Sequence, residues 1–126
     1  MIKVIRGAIS CASDTPEEIS SCACELFLQL LKANEITQPD ITFLLISHTK
    51  DLRTLNSATA LRRAGLCQSV PLFCVQEADI TGALPHIIRM MICTEANVEE
   101  IHHIYLKEAA KLRPDLAKQM PLQTIN

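Results

Sequence analysis

The sequence predicts an α+β fold in which a mixed β-sheet carries two helices on one face. Short apolar runs with strand-like composition alternate with two segments whose apolar residues recur at helical spacing. The order is strand, helix, strand, helix and then three further strands. With 126 residues, the chain can build a substantial hydrophobic core, and we expect one domain over residues 1–117 followed by a flexible tail over residues 118–126.

Composition and charge exclude several classes of function. Aromatic residues make up only 3% of the chain and tryptophan is absent, which argues against a surface that stacks on nucleic-acid bases. The net charge of -2, with no cluster of basic residues, gives no electrostatic footprint for nucleic acid. No apolar segment has the length of a membrane span, and the N-terminus lacks a signal-peptide pattern. We therefore expect a cytoplasmic protein that binds neither nucleic acid nor a membrane.

The first strand and helix are predicted over residues 1–9 and from Thr15 to about Asn34. In the strand, period-two alternation places Arg6 among aliphatic neighbours. Thr15 and Glu18 have the spacing of a capping box, with Pro16 at the first helical position. The apolar stripe that predicts a helix lying on a sheet consists of Ile19, Cys22, Ala23, Leu26, Phe27, Leu30 and Leu31.

The second strand and helix follow at residues 41–49 and 57–65. The strand is a nearly continuous apolar run, typical of an interior strand covered on both faces, and it becomes polar from Ser47 onward. Asn56 or Ser57 is expected to cap the helix, and Gly65 to close it. Arg62 and Arg63 are consecutive and cannot share a face, and we interpret Arg63 as a solvated helix charge.

Residues 70–89 carry an acid and a base at the two ends of a strand, a turn and a second strand. Glu77 follows the apolar run 70–75, and Arg89 interrupts the apolar run 84–94. A guanidinium in such a run needs an anionic partner, which is either Glu77 or a carboxylate of a ligand. Since Arg6 is also set in an apolar strand, one acid faces two bases. This excess of positive charge favours a site that binds a carboxylate or phosphate over ion pairs buried at a subunit interface.

The last strand is predicted over residues 101–106, where alternation separates His103 and Tyr105 from His102 and Ile104. The adjacent histidines therefore do not form a ligand pair. The sheet face without helices holds alternate residues of apolar strands, and oligomerisation is the expected way to cover it.

The six cysteines predict neither disulfides nor a metal site, because they form no C-x-x-C pair and the four histidines show no zinc spacing. Most are expected to be small buried hydrophobic residues. Cys74, which lies beside Gln76 and Glu77, is the one candidate for chemistry, but the local sequence offers no histidine to activate it.

Eight motifs taken together resemble the small trimeric chorismate mutases of the Bacillus type, over almost the whole chain. Their order and spacing make the resemblance specific. They are IRGA (5–8), DTPEEI (14–19), TALR (59–62), VPLFCVQE (70–77), DITG (79–82), IRMM (88–91), YLKEA (105–109) and LRPDL (112–116).

The resemblance implies that the protein rearranges chorismate to prephenate, on the branch leading to phenylalanine and tyrosine, without a cofactor or metal. It also implies a homotrimer in which three subunits form a pseudo-barrel, with active sites at the subunit interfaces. By the same resemblance, Arg89 would donate to the ether oxygen and Glu77 would accept from the ring hydroxyl. The implied substrate-binding residues are Arg6, Arg62, Cys74, Tyr105, Phe73, Leu72, Ala58, Thr59, Leu112 and Arg113.

The resemblance assigns places to these residues. Arg6 would pair with a substrate carboxylate beside Tyr105, and Cys74 would lie near the ring hydroxyl. Arg62 and the segment before it would reach into a neighbouring subunit's site, and the segment around Leu112 would close over the site.

The chain departs from the family pattern at Asn56 and Thr59, where an aromatic residue and a lysine are usual. These losses predict a raised KM more than a lowered kcat. The connection between Arg89 and Tyr105 is also slightly shorter than usual. Two alternatives use the same threefold architecture, an imine or enamine deaminase with Arg89 as a carboxylate anchor, and a non-catalytic chorismate-binding protein.

Overall fold

A computed structural model describes residues 1–117 and confirms the α+β fold with its mixed sheet. The predicted tail over residues 118–126 lies outside the described part of the chain. The elements are β1 (Lys3–Ser10), α1 (Pro16–Asn34), a 3-10 turn (Gln38–Asp40), β2 (Ile41–His48), α2 (Ser57–Arg63), β3 (Leu72–Gln76), β4 (Ile87–Thr94), β5 (Ile104–Leu106), a 3-10 helix (Lys107–Leu112) and α3 (Pro114–Ala117).

The five strands lie in the order β3-β2-β4-β1-β5. β4 is antiparallel to both of its neighbours, while β3 is parallel to β2 and β5 is parallel to β1. β3 and β4 are consecutive in the chain, yet β2 lies between them. Residues 77–86 therefore cross over the end of β2, and this crossing brings the end of β3 close to Arg89.

α1 forms as the capping pattern predicts, with one difference. Thr15 Oγ1 accepts a hydrogen bond from the Glu18 backbone N–H at 3.2 Å. The Glu18 carboxylate accepts from the Ala12 N–H at 2.7 Å instead of closing the box on Thr15. The predicted stripe is buried except for Leu31, which is half-buried, while Asn34 is buried one turn after Leu30.

α1 packs against one face of the sheet, and Gly7 in β1 permits the close approach. A Cβ at Gly7 would lie 2.9 Å from the carbonyl oxygen of Ile104 and 3.0 Å from Leu26 Cδ1. Aliphatic side chains of β1, β2 and β4 complete this core, including Ile5, Ile9, Leu44, Ile46, Ile88 and Ile92.

The opposite face of the sheet, which we call the open face, is covered by little of residues 1–117. Val4, Phe43, Phe73 and Val75 lie exposed on it. The expectation that β2 is covered on both faces is therefore wrong for the single chain. Leu44 and Ile46 are buried under the helices, but Phe43 is 41% exposed.

Two segments near strand ends differ from the sequence prediction because side chains bind their backbone. Asn34 accepts from the His102 N–H and donates to the His102 carbonyl, so residues 101–103 do not join β5. The Asp51 carboxylate accepts from the His86 N–H at 3.0 Å, and β4 begins only at Ile87. The 3-10 helix after β5 was not predicted. Within the described residues, none of the helices has the length and apolar composition needed to cross a membrane.

Candidate active site

Arg89 and Glu77 form an ion pair at the edge of the open face. Arg89 Nε donates to Glu77 Oε1 at 2.7 Å, and the Ser47 hydroxyl donates to the same oxygen at 3.0 Å. The Glu77 side chain is 18% exposed and that of Arg89 is 45% exposed. The sequence prediction that Glu77 could be the anionic partner of Arg89 is confirmed.

Strand register explains this geometry. In the β2–β4 pairing Ser47 is opposite Arg89, so the two side chains lie side by side on the open face. The backbone N–H of Glu77 donates to the His48 carbonyl at 2.7 Å, which extends the parallel β2–β3 pairing by one residue. Glu77 is therefore held beside Ser47, within reach of the guanidinium one strand further along the sheet.

Arg6 lies on the same face as Arg89, on the adjacent strand. The β1–β4 register pairs Arg6 with Met91 and Ala8 with Arg89, so the two arginines are diagonal neighbours. Between them is a cleft of about 230 Å³. Its wall is formed by Arg6, Gly7, Leu45, Ser47, Arg89, Met90, Met91 and Tyr105. Within residues 1–117 the Arg6 guanidinium has no carboxylate partner, so the cleft wall carries two cationic groups, while the Glu77 carboxylate that binds Arg89 is not part of the wall.

Tyr105 forms the cleft wall at its β5 end. It is 4% exposed and packs in a small apolar cluster with Ala8, Ile87 and Ala109. Leu112, at the end of the 3-10 helix, packs against the same cluster. Arg113 follows it and pairs with Asp115 at 2.9 Å, and the hydrogen bond to that carboxylate raises the pKa of Arg113. The C-terminal segment thus borders the cleft.

The other predicted site residues lie elsewhere in this chain. Leu72, Phe73 and Cys74 are on the edge strand β3, and Ala58, Thr59 and Arg62 are on α2. Arg62 Nη2 donates to the Val70 carbonyl at 3.4 Å. None of these six residues forms the wall of the cleft.

Cys74 points toward the helices, away from the open face, and packs against the main core. Burial raises the pKa of its thiol, while the backbone N–H groups of Ser57 and Ala58 lower it. Phe73, its neighbour, points to the open face and is 68% exposed. The predicted site residues therefore form two sets on different parts of the surface.

Two polar residues of the site were not singled out from the sequence. The first is Ser47, whose hydroxyl binds Glu77. Its signal in the sequence was the change from apolar to polar residues at the end of β2. His103 Nδ1 accepts the backbone N–H of Arg6 at 3.0 Å, and burial followed by the nearby Arg6 charge lowers its pKa. Across the described residues, no cluster of histidine, cysteine, aspartate or glutamate side chains could hold a metal ion.

Comparison with known proteins gives consistent results. The family model of chorismate mutase type I matches residues 2–116. The chain is 38% identical over 119 residues to chorismate mutase AroH of Bacillus subtilis (strain 168), covering 93% of this chain and 94% of that protein. It is also 38% identical over 119 residues to chorismate mutase AroH of Thermus thermophilus, covering 92% and 97%.

A solved structure, the chorismate mutase from Clostridium thermocellum, superimposes with a TM-score of 0.80 at 31% identity. The superposition covers 86% of this chain and 98% of that one.

Proposed function

The chain belongs to the chorismate mutase type I family, and on that premise we propose that it converts chorismate to prephenate in phenylalanine and tyrosine biosynthesis. Family membership makes the protein an enzyme, an isomerase by reaction type, as the sequence predicted. The observation that carries the mechanism is the Glu77-bound Arg89 guanidinium, which shares one cleft with Arg6.

The reaction is an intramolecular Claisen-type rearrangement. It needs a dianionic substrate to be held in its folded conformer, and it needs positive charge where the breaking ether bond gains electron density. Neither requirement calls for a nucleophile or a proton transfer. The guanidiniums of Arg6 and Arg89 in a small cleft, together with the Glu77 carboxylate that binds Arg89, match these requirements.

Arg89 is the donor to the ether oxygen in this proposal. Its Nε is bound to Glu77, and within residues 1–117 its two terminal nitrogens make no hydrogen bond. The ion pair fixes the plane of the guanidinium before substrate arrives, so the remaining donors need little reorganisation in the transition state.

Glu77 binds the ring hydroxyl and complements the positive charge that develops on the ring. Its Oε1 accepts from both Arg89 and Ser47, while Oε2 has no bound donor among the described residues. Oε2 is therefore the oxygen that accepts from the substrate. Arg6 pairs with a substrate carboxylate beside Tyr105, and the segment with Leu112 and Arg113 closes that end of the cleft.

The second set of site residues supports a homotrimer with active sites at the subunit interfaces. Arg62, Ala58, Thr59, Leu72, Phe73 and Cys74 lie outside the cleft of their own chain, and a neighbouring subunit would supply them. The exposed apolar side chains of the open face give such an assembly a surface to bury. Light scattering at micromolar concentration tests this: a trimeric mass is expected, and a stable monomer would refute it.

The departures at Asn56 and Thr59 bear on affinity. Asn56 is the N-cap of α2, and its Oδ1 accepts from the Ala58 N–H at 2.8 Å. The asparagine thus stabilises the start of the helix in place of the usual ring. Thr59 stands where the family usually has a lysine, so this chain lacks one cation beside the site. We therefore expect a raised KM with kcat largely retained.

Loss of chorismate absorbance, followed with wild type, Arg89→Ala and Arg63→Ala, tests the activity. Arg63 is an exposed arginine of α2 and serves as the matched control. We expect conversion to prephenate by wild type and Arg63→Ala, and a loss of at least about 10²-fold in kcat for Arg89→Ala, since one preorganised donor is worth about 3 kcal/mol.

Wild type that binds a bicyclic transition-state analogue without turnover would refute the mutase activity and favour a binding protein. Hydrolysis of 2-iminoacids without conversion of chorismate would favour the deaminase.

A further inference from the structure

His48 and Ser57 form a buried polar pair on the helix side of the sheet. His48 is the last residue of β2 and Ser57 is the first residue of α2. His48 Nε2 lies 2.5 Å from the Ser57 hydroxyl oxygen, and the two residues are 7% and 0% exposed. A buried polar group that loses its partner is left without water to replace it. The end of β2 and the start of α2 are therefore tied together by this hydrogen bond.

The same end of β2 also holds Glu77. Ser47 and His48 are consecutive in a strand, so their side chains point to opposite faces of the sheet. On the open face the Ser47 hydroxyl donates to Glu77 Oε1 at 3.0 Å, and the His48 carbonyl accepts from the Glu77 backbone N–H at 2.7 Å. His48 thus binds Glu77 through its backbone and α2 through its ring. A change of the ring removes the contact with α2 and leaves the backbone contact with Glu77 in place.

The position of α2 depends strongly on its first residue. The helix has seven residues, Ser57–Arg63, which make about two turns, so a shift at Ser57 moves the whole helix. The connection before it is already held, because Asp14 Oδ1 accepts from the backbone N–H groups of Arg53 at 2.9 Å and Thr54 at 3.1 Å. The pair with His48 extends this fixation into the helix that carries Arg62.

We propose that His48 and Ser57 are positioning residues for substrate binding, which fix α2 and thereby place Arg62 in the active site of a neighbouring subunit. This inference rests on the proposed function and on the trimer, in which α2 serves a neighbouring site. Neither His48 nor Ser57 forms part of the cleft wall. Arg62 is a cation and the substrate is a dianion, so a displaced α2 weakens capture of the substrate. Arg89 and Glu77 keep their contacts, and loss of the pair therefore raises KM more than it lowers kcat.

Steady-state kinetics of variants that remove the pair from either side test the proposal. Ser57→Ala and His48→Leu should each raise KM about fivefold, the worth of one neutral hydrogen bond, with kcat within about twofold of wild type. His48→Gln, whose amide can still bond the hydroxyl, should restore a KM close to that of wild type. Ser21→Ala, at an exposed serine of α1, is the matched control and should change neither constant. An unchanged KM in Ser57→Ala and His48→Leu, or a loss confined to kcat, would overturn the proposal.

A double-mutant cycle shows whether the pair acts through Arg62. Arg62→Ala should raise KM in the wild-type background, and it should raise KM by a smaller factor in the Ser57→Ala background, where the guanidinium is already displaced. A general loss of stability would not produce this coupling. Equal factors in the two backgrounds would refute a role of the pair in placing Arg62.

Two measurements separate this inference from the mutase activity itself, because neither needs turnover. One is the affinity for a bicyclic dicarboxylate transition-state analogue, measured by calorimetry. The other is hydrogen exchange at the Ala60 N–H, which bonds to the Asn56 carbonyl at 3.0 Å and should lose protection in Ser57→Ala. If wild type binds the analogue without turnover, the mutase activity fails, while weaker analogue binding by Ser57→Ala still supports the positioning role. Unchanged exchange and unchanged affinity in Ser57→Ala would overturn the inference even in an active enzyme.

Discussion

The Glu77→Gln substitution separates the charge of this side chain from its shape. Glutamine is isosteric, and its amide oxygen can still accept from Arg89 Nε and Ser47 Oγ, the two donors now bound to Oε1. The geometry of the Arg89 guanidinium should therefore survive, while the negative charge beside the developing cation is lost.

The expected effects on stability and on catalysis differ in size. Arg89 is 45% exposed and can be solvated when its partner becomes neutral, so the free energy of unfolding should fall by at most about 1 kcal/mol. In the transition state, no water is available to compensate for the lost charge of Glu77. Loss of one preorganised electrostatic contact there costs about 3 kcal/mol, which lowers kcat by about 10²-fold.

The assay is chorismate consumption at saturating substrate, combined with urea unfolding of the same preparations. Asp79→Asn is the matched control, because Asp79 forms an ion pair with Lys50 at 2.8 Å in which both side chains are 60% exposed. Neither kcat nor stability should change measurably in that variant.

A Glu77→Gln enzyme with kcat within about threefold of wild type would refute the proposed charge complementarity. Glu77 would then serve only to orient Arg89. A large loss of stability accompanying the loss of activity would instead show that the ion pair holds the open face together.

Three further predictions concern stability. Asn34→Ala should lower the free energy of unfolding by about 2–3 kcal/mol in urea titrations, because it leaves the His102 N–H and carbonyl without their partner. Gly7→Ala should cost about 1–3 kcal/mol and lower the Tm, since the added methyl would press on the Ile104 carbonyl at 2.9 Å; a Tm equal to wild type would contradict the close packing. Burial lowers the pKa of His48 below its usual 6.5, so the unfolded state binds the proton first as the pH falls. The stability that neutral His48 contributes should be complete above pH 6.5 and be lost as the pH falls toward its folded pKa, and unfolding curves of wild type and His48→Gln over this range should converge.

The local elements were predictable because their signals are local. Thr15 and Pro16 start α1 as the sequence indicates, and Asn56 caps α2. Alternation in β1 correctly groups Arg6 with aliphatic neighbours, and the structure shows that their face is the one without helices. Arg6, Glu77 and Arg89 were singled out because each is a charge within or at the end of an apolar strand, whereas residues such as Arg62 and Leu112 were found through the family motifs.

The contacts between distant segments required the tertiary structure. Alternation predicts which residues of a strand share a face, but it does not predict which strands are adjacent in the sheet. Nothing in residues 70–89 therefore indicates that β2 lies between β3 and β4, or that Ser47 binds Glu77. The expectation that both faces of β2 are covered was wrong for the single chain for the same reason. An apolar strand has the same sequence pattern whether a helix of its own chain or another subunit covers it.

The sequence by itself determined the fold class, the helix caps and the placement of single charges in apolar strands, since each depends on neighbours within a few residues. Only the tertiary structure decided that Arg89 is fixed by Glu77 from another strand, and that Lys107 lies beside Cys22 across 85 positions of the chain. Such pairs depend on strand order and on how the helices pack, and these are set by the burial of the whole core rather than by any one segment.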